Sequence, residues 1–383
     1  MVFRANMNRS DLVHNLAQRM VLAYVVPVFV ATLAAQTPDK PANPVTIDAD
    51  GTVHVPAQSV PQSAYLSPEA KAYVTQHLKD MQSPPPSPKG NGVPGFMQPY
   101  LDRQKILYPT EESDTKIGGV HVVIYAPKGG VSAQNKDRVL IELHGGGFSG
   151  CWPGCAQLES MPMASLGRIK VVAVDYREGP DHKFPSASED VASVYQELLK
   201  TYPSQDIGLY GCSAGGMLTA MSVAWFQKHN LPRPGAIGIY CSGAGTPDGV
   251  GFMGGDASYT AMPLGEARIL PGPSSSAKQS TLGYLVGTDP ADPLVNPVNS
   301  AEVLSKFPPT LIITGTRDFA LSGALYTHAQ LSKAGVDAEL DVWEGLFHGF
   351  FYNPDVPESK DAYDVMIKFF DKHLGQRGES KHD

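Results

Sequence analysis

Ile207-Gly208-Leu209-Tyr210-Gly211-Cys212-Ser213-Ala214-Gly215 reads as a short apolar strand, a turn of small residues around one serine, and the start of a helix. Residues 211–215 match Gly-x-Ser-x-Gly. That pattern alone is weak, because a serine capping a helix on a glycine turn has the same letters. Its setting gives it weight. Asp206 to Tyr210 is a strand by composition, and Ala214 to about His229 is a helix. A strand that passes directly into a helix turns so tightly that the flanking positions must be small. The turn lifts the serine hydroxyl above the sheet and points the helix N-terminus at whatever the serine attacks. Ser213 is the candidate nucleophile.

Outward from this turn the chain alternates. Apolar strands are expected at His121 to Tyr125, Val139 to Leu143, Lys170 to Tyr176, Ala236 to Tyr240, Thr310 to Thr314 and Ala338 to Trp343. Helices are expected at Glu189 to Thr201, Leu321 to Ala334 and Asp361 to His373. Near-continuous apolar strands between amphipathic helices imply a mainly parallel sheet with helices on both faces, an α/β fold. Upstream, Ser67 is a candidate N-cap and Pro68 a first helical residue, with Ala70, Val74, Leu78 and Met81 on one face. A Pro/Gly-rich linker, Ser83 to Pro99, follows. Gly243 to about Pro297 breaks the alternation with Gly, Pro and Ser and reads as an insertion between two strands.

Three further motifs stand where strands end. His144-Gly145-Gly146-Gly147-Phe148 follows Val139 to Leu143. Consecutive glycines let N–H groups point into a site with no Cβ in the way. Gly146 and Gly147, with Ala214 after the nucleophile, are the candidate oxyanion donors, and Gly145 shapes the turn. Asp318 lies just past the strand Thr310 to Thr314, and His348 lies in the loop after the next strand. The order Ser, acid, His is the one this strand–turn–helix chemistry uses. His348 is the candidate base and Asp318 its orienting acid. A histidine base must be neutral, so activity should fall below about pH 6–6.5. Asp292 is a rival acid, but it sits in a turn before the strand. His144 is read as a brace for the glycine loop, and His121 and His182 have no aligned role. The chemistry requires neither cofactor nor metal.

Hydrophobic residues make up 42% of the 383, enough for a sizeable core, and charged residues 18%. The net charge is −8 and no Lys/Arg stripe occurs, which argues against a nucleic-acid partner. Arg4, Arg9 and Arg19 precede an apolar run, Met20 to Ala35, that ends in small residues. This is the composition of an export signal, and the run is shorter than the roughly 18–20 residues that span a bilayer. An uncleaved anchor and a start codon set too far upstream are the competing readings. Export would place the mature protein in the periplasm or outside the cell, with no membrane span. Cys151 and Cys155 could close a small disulfide loop in an oxidising compartment, while metal binding has no nearby His or second Cys pair to support it. Cys212 and Cys241 read as buried thiols. Four cysteines allow three full pairings, and spacing does not choose among them.

His144 to Gly147, Tyr176-Arg177, the Pro180 to Pro185 segment, Gly211 to Gly216, Asp318 and His348-Gly349-Phe350 together resemble the hormone-sensitive-lipase-like family of α/β-hydrolases. The resemblance runs from about residue 118 to about 372. It implies an eight-stranded core with a cap, and the activity of a serine carboxylesterase on a small-molecule ester. A lactonase or an amidase or peptidase would share the triad, and a non-catalytic ligand-binding member would share the fold. The expected organisation is a signal peptide at 1–35, a lead-in, cap helix and linker at 36–103, the catalytic core at 104–243 and 298–375, a cap insertion at 244–297, and a tail at 376–383. A homo-oligomer is compatible with all of this. Three positions depart from the family pattern. Cys212 stands where many relatives have Asp or Thr, Ser322 where many carry a second Asp, and the Cys151–Cys155 segment is not general. That segment, with Trp152, is expected to shape one wall of the substrate entrance.

Overall fold

The computed structural model describes residues 44–90, 92–247, 253–268 and 283–376. The export segment at 1–35 and the tail from 377 lie outside the described residues. The chain divides into two compact units, Met1–Ser59 and Val60–Asp383. In the first, Thr46–Ile47 pairs antiparallel with Val53–His54 around an Asp48–Thr52 turn.

The second unit is built on one eight-stranded sheet. Its strands are β1 (Thr110–Ile117), β2 (Val120–Pro127), β3 (Val139–Leu143), β4 (Lys170–Val174), β5 (Ile207–Cys212), β6 (Ala236–Tyr240), β7 (Thr310–Gly315) and β8 (Ala338–Trp343). Their order across the sheet is β8-β7-β6-β5-β3-β4-β2-β1. The β3–β8 strands pair parallel, while β2 runs antiparallel to both β4 and β1. The order reverses between β5 and β3, so their carboxyl ends open a crevice where loops leave in opposite directions.

Nine α-helices are described: α1 (Pro68–Gln82), α2 (Gln98–Leu107), α3 (Gly154–Gly167), α4 (Ser186–Leu198), α5 (Ala214–Lys228), α6 (Ala261–Glu266), α7 (Ala301–Leu304), α8 (Leu321–Lys333) and α9 (Pro357–His373). The strand side chains alternate between two cores. Leu140, Val171, Tyr210 and Ile313 pack against α3 and α9. Val139, Ile141, Leu209, Ile239 and Ile312 pack against α4, α5 and α8. With both faces covered, the central strands are apolar at almost every position.

Three elements escape the sequence reading. β1, Thr-Glu-Glu-Ser-Asp-Thr-Lys-Ile, is a solvent-facing edge that pairs only with β2; its charges discourage pairing with another chain and hide its strand character. α3 is buried nearly all round, lacks a polar face and contains Pro162, so it shows no helical period. α2 begins inside the stretch read as the end of the Pro/Gly linker. Ser67 does cap α1, accepting the Ala70 N–H at 3.0 Å, but the buried face is Ala70, Tyr73, Val74 and His77, with Leu78 and Met81 only half-buried. Among the described residues no helix is long and apolar enough to cross a membrane.

Ile141 lies fully buried at the middle of the sheet. Ile141→Ala is expected to lower the unfolding free energy by about 2–5 kcal/mol in urea titration. Glu112→Ala on the exposed β1 edge should stay within about 0.5 kcal/mol. Equal effects of the two would contradict the assignment of core and edge.

Candidate active site

The candidate residues all fall at carboxyl ends of parallel strands. Ser213 follows β5 with φ 59° and ψ −121°, a conformation L residues rarely adopt. Its N–H donates to the Tyr240 carbonyl at the end of β6 (2.8 Å). The turn is forced from below as well. A Cβ on Gly215 would stand 1.6 Å from the Leu143 carbonyl oxygen, so only glycine lets α5 start this close to β3.

The glycine loop after β3 lies beside the serine. A Cβ on Gly145 would meet the Ser213 Cβ at 3.5 Å. Gly146 (φ 119°) and Gly147 (φ 66°) carry the chain through conformations glycine favours, and a Cβ on Gly146 would lie 2.0 Å from the Gly150 carbonyl oxygen. The N–H groups of Gly146, Gly147 and Ala214 donate to no protein acceptor among the described residues. His144 braces this loop, as expected. Its Nδ1–H donates to the Gly145 carbonyl (2.7 Å), its ring stacks on Tyr176 (centroids 4.4 Å), and the Tyr176 hydroxyl donates to the His144 carbonyl (2.6 Å). Burial pulls its pKa down to about 4, so it stays neutral.

Asp318 and His348 are brought together. His348 Nδ1 donates to Asp318 Oδ1 at 2.8 Å. Asp318 is fully buried and also accepts the Thr314 hydroxyl on Oδ2 (2.9 Å) and the Ala320 N–H on Oδ1 (2.9 Å). Burial works against its charge, but the His348 imidazolium and these donors prevail and hold its pKa below the usual carboxylate range. For His348, burial disfavours the cation, yet the Asp318 charge and hydrogen bond outweigh it and raise the pKa above 6.5. The imidazole stacks on Phe319 (centroids 4.1 Å). The next N–H, Gly349, donates to Cys241 Sγ (3.2 Å), and Cys241 directly follows the Tyr240 carbonyl that holds Ser213. Two hydrogen bonds therefore link the serine turn to the histidine loop.

Cys241 Sγ, an Asp318 oxygen and a His348 nitrogen lie within 4.8 Å of one another. Burial keeps Cys241 a thiol, and the aspartate and imidazole already satisfy each other, so the trio reads as the packing of an acid–base pair. The rivals lie elsewhere. Asp292 caps its own turn through the Leu294 N–H (2.9 Å), His121 sits between Asp114 and Asp175, and His182 is exposed.

Helices α1 and α6 press on the histidine loop. His77 of α1 stacks on Phe347 (centroids 3.6 Å), and Gly265 of α6 packs against the Arg317 carbonyl. From the insertion, Tyr284 stacks on Phe148 (4.7 Å) and its hydroxyl accepts the Ala187 N–H (2.8 Å). Ser322 accepts the Ala257 N–H (3.0 Å), so the residue that departs from the family pattern ties the insertion to α8. Cys151 and Cys155 form a disulfide, with Cα atoms 5.3 Å apart, next to the glycine loop. Trp152 within it lies 5.6 Å from His144. Cys212 and Cys241 are free and buried.

Sequence reasoning missed Glu159. It is buried in α3, and its carboxylate accepts the N–H of Gly145 (3.0 Å), the N–H of Cys212 (3.0 Å) and the hydroxyl of Tyr352 (2.8 Å). One signal was present: it is the only charged residue in the apolar stretch 154–167, and such a charge stays buried only with partners.

This sheet order, with a serine turn after the fifth strand and an acid–base pair after the seventh and eighth, defines a hydrolase of the α/β type. A family described as alpha/beta hydrolase fold matches residues 140–352, more than half of the chain, and the chain belongs to that family. The resemblance to its hormone-sensitive-lipase-like branch is borne out. An acetyl-hydrolase of Streptomyces hygroscopicus is 27% identical over 253 residues, 64% of this chain and 79% of that protein. The carboxylesterase/phospholipase LipF of Mycobacterium tuberculosis is 30% identical over 234 residues, 60% of each chain. The crystal structure of an esterase, E25, superposes with a TM-score of 0.69 at 27% identity, covering 84% of this chain and 98% of that one.

Gly215→Ala must push α5 away from β3. It is expected to cost more than about 3 kcal/mol, or to prevent folding, as a backbone clash in a packed core does. Thermal unfolding of the purified variant checks this, and a wild-type midpoint would contradict it.

Proposed function

We propose that the protein hydrolyses short- to medium-chain carboxylic esters through an acyl-serine intermediate on Ser213. That it is a carboxylic ester hydrolase rests on its family and relatives. The serine mechanism and the acyl length are the proposal. One observation carries it: the 2.8 Å contact between His348 Nδ1 and buried Asp318, which fixes the tautomer in which Nε2 is the basic nitrogen.

In this reading His348 Nε2 takes the Ser213 proton as Oγ attacks the ester carbonyl. The N–H groups of Gly146, Gly147 and Ala214 hold the resulting oxyanion. Collapse expels the alcohol with the proton that His348 returns, leaving the acyl-serine. Water, activated by the same imidazole, then releases the acid. Asp318 remains ionised throughout and stabilises the imidazolium. Short acyl groups are favoured by the likeness to an acetyl-hydrolase. They are also favoured by the six-residue α6, the only α-helix among the described residues of the insertion. A disulfide beside the site supports action in an oxidising compartment, and we propose that the protein is exported to the periplasm or beyond.

The test is hydrolysis of p-nitrophenyl esters from acetate to palmitate, with Ser213→Ala alongside. Short esters should be cleaved fastest, and the variant should lose about 10⁴-fold or more in kcat. A preference for palmitate would refute the chain-length assignment, and an active Ser213→Ala the mechanism.

The pH dependence follows from the sign of the His348 shift. The base must be neutral and its pKa is raised, so kcat/KM should fall as pH drops through a value above 6.5. A rate constant down to pH 5 would contradict His348 as the base.

A further inference from the structure

Behind the site lies a buried acid pair that the ester-cleaving steps do not use. Glu142 points from β3 and Glu159 from α3; both are essentially inaccessible to solvent, and the two carboxyl groups meet. The neighbours of the Glu142 carboxyl are Glu159 and the Ser160 hydroxyl. Glu159 has three donors: the N–H groups of Gly145 and Cys212 and the hydroxyl of Tyr352. Two carboxylates in contact inside a protein cannot both ionise. One proton between them satisfies both, with Glu142 as the acid and Glu159 as the carboxylate. Burial and the Glu159 charge raise Glu142 well above the usual range, which fits that division.

The three donors belong to three parts of the site. Gly145 opens the glycine loop whose next two N–H groups are the oxyanion donors. Cys212 precedes the nucleophile. Tyr352 closes the turn that follows His348. They lie 14, 53 and 193 residues from Glu159 in the chain. No other side chain described here bonds to all three segments. We propose that Glu159 is a positioning residue: its ionised carboxylate fixes the oxyanion loop relative to the nucleophile turn and the histidine loop, and Glu142 holds the proton that leaves it charged.

Catalysis therefore depends on a second protonation besides that of His348. Five tyrosines face Glu159: Tyr176 after β4, Tyr210 on β5, Tyr240 on β6, Tyr352, and Tyr363 on α9. Burial raises all of them, so they remain neutral. Cys212 is likewise raised and stays a thiol. Glu178, which accepts the Gly150 N–H at the end of the glycine loop, is raised to about 7 by burial and also titrates near neutrality. Burial raises Glu159 itself above the usual carboxylate range, and its three donors offset this only in part. Its ionised form is thus present at higher pH and lost as pH falls, as the neutral form of His348 also is. The acid limb of log kcat against pH should be steeper than one proton allows.

The inference rests on Ser213 and His348 acting as proposed, and the experiment separates the two. Wild type, Ser213→Ala, Glu159→Gln and Tyr352→Phe are assayed with p-nitrophenyl acetate from pH 5 to 9, with active sites counted by a phosphonate. Glu159→Gln keeps the size and removes the charge. It should lower kcat per active site by about 10–100-fold, below the roughly 10²–10³ of losing an oxyanion donor outright. KM should stay within about threefold, and the acid limb should fall to a slope of one. An unchanged kcat and slope, whatever the change in unfolding midpoint, would reduce Glu159 to a packing role and overturn the inference. If Glu159→Gln does not fold, Tyr352→Phe decides. Losing one donor to the carboxylate must raise its pKa, so the limb should move to higher pH; an unmoved limb overturns the inference. Ester cleavage that survives in Ser213→Ala overturns the reading of the site and this inference with it. A dead Ser213→Ala beside an unaffected Glu159→Gln overturns the inference alone.

Discussion

Ser213 is held at φ 59° and ψ −121°, and the rest of the site is arranged around keeping it there. A backbone in such a sparsely populated region costs about 1–3 kcal/mol and persists only where its surroundings over-determine it. Here the constraints come from three sides. The Ser213 N–H is bonded to β6, Gly215 lies against the end of β3, and the Cys212 N–H is bonded to Glu159 from α3. The strained residue stands at the junction of β5 and α5, beside Gly145 of the glycine loop.

The buried charges follow from the same economy of partners. Asp318 keeps its charge in a solvent-free position because His348, Thr314 and Ala320 supply donors to both oxygens. Glu159 is raised to about 7 by burial, and two backbone N–H groups and a tyrosine hydroxyl favour its charge above that pH. An unpaired carboxylate at either position would take up a proton instead. Each carboxylate thereby becomes a fastening point: one holds the His348 ring, the other ties together loops that are distant in the chain. Helix α1 adds a further contact, with His77 stacked on the residue before His348.

Much of this was legible in the sequence, for definite reasons. Strands buried on both faces are written as near-continuous apolar runs, so Val139–Leu143 and Ala236–Tyr240 have the expected bounds; the half-buried edge strand Ala338–Trp343 has them too. The site stood out because its residues occur where those runs end. What escaped was specified by partners rather than by local pattern. β1 is polar because it is an exposed edge, and α3 has no stripe because every side of it is covered. The role of Glu159 depends on contacts with residues up to 193 positions away, which a single chain read in order does not display.

The central claim is that one serine, made nucleophilic by the His348–Asp318 pair, carries the chemistry. Its most direct test is mass spectrometry of the intact protein after exposure to a p-nitrophenyl phosphonate, followed by peptide mapping across pH. The account predicts one adduct per chain, on Ser213, forming more slowly as pH falls below the His348 transition and not forming in His348→Ala. Labelling at any other residue, or no adduct on a folded and otherwise intact chain, would contradict it.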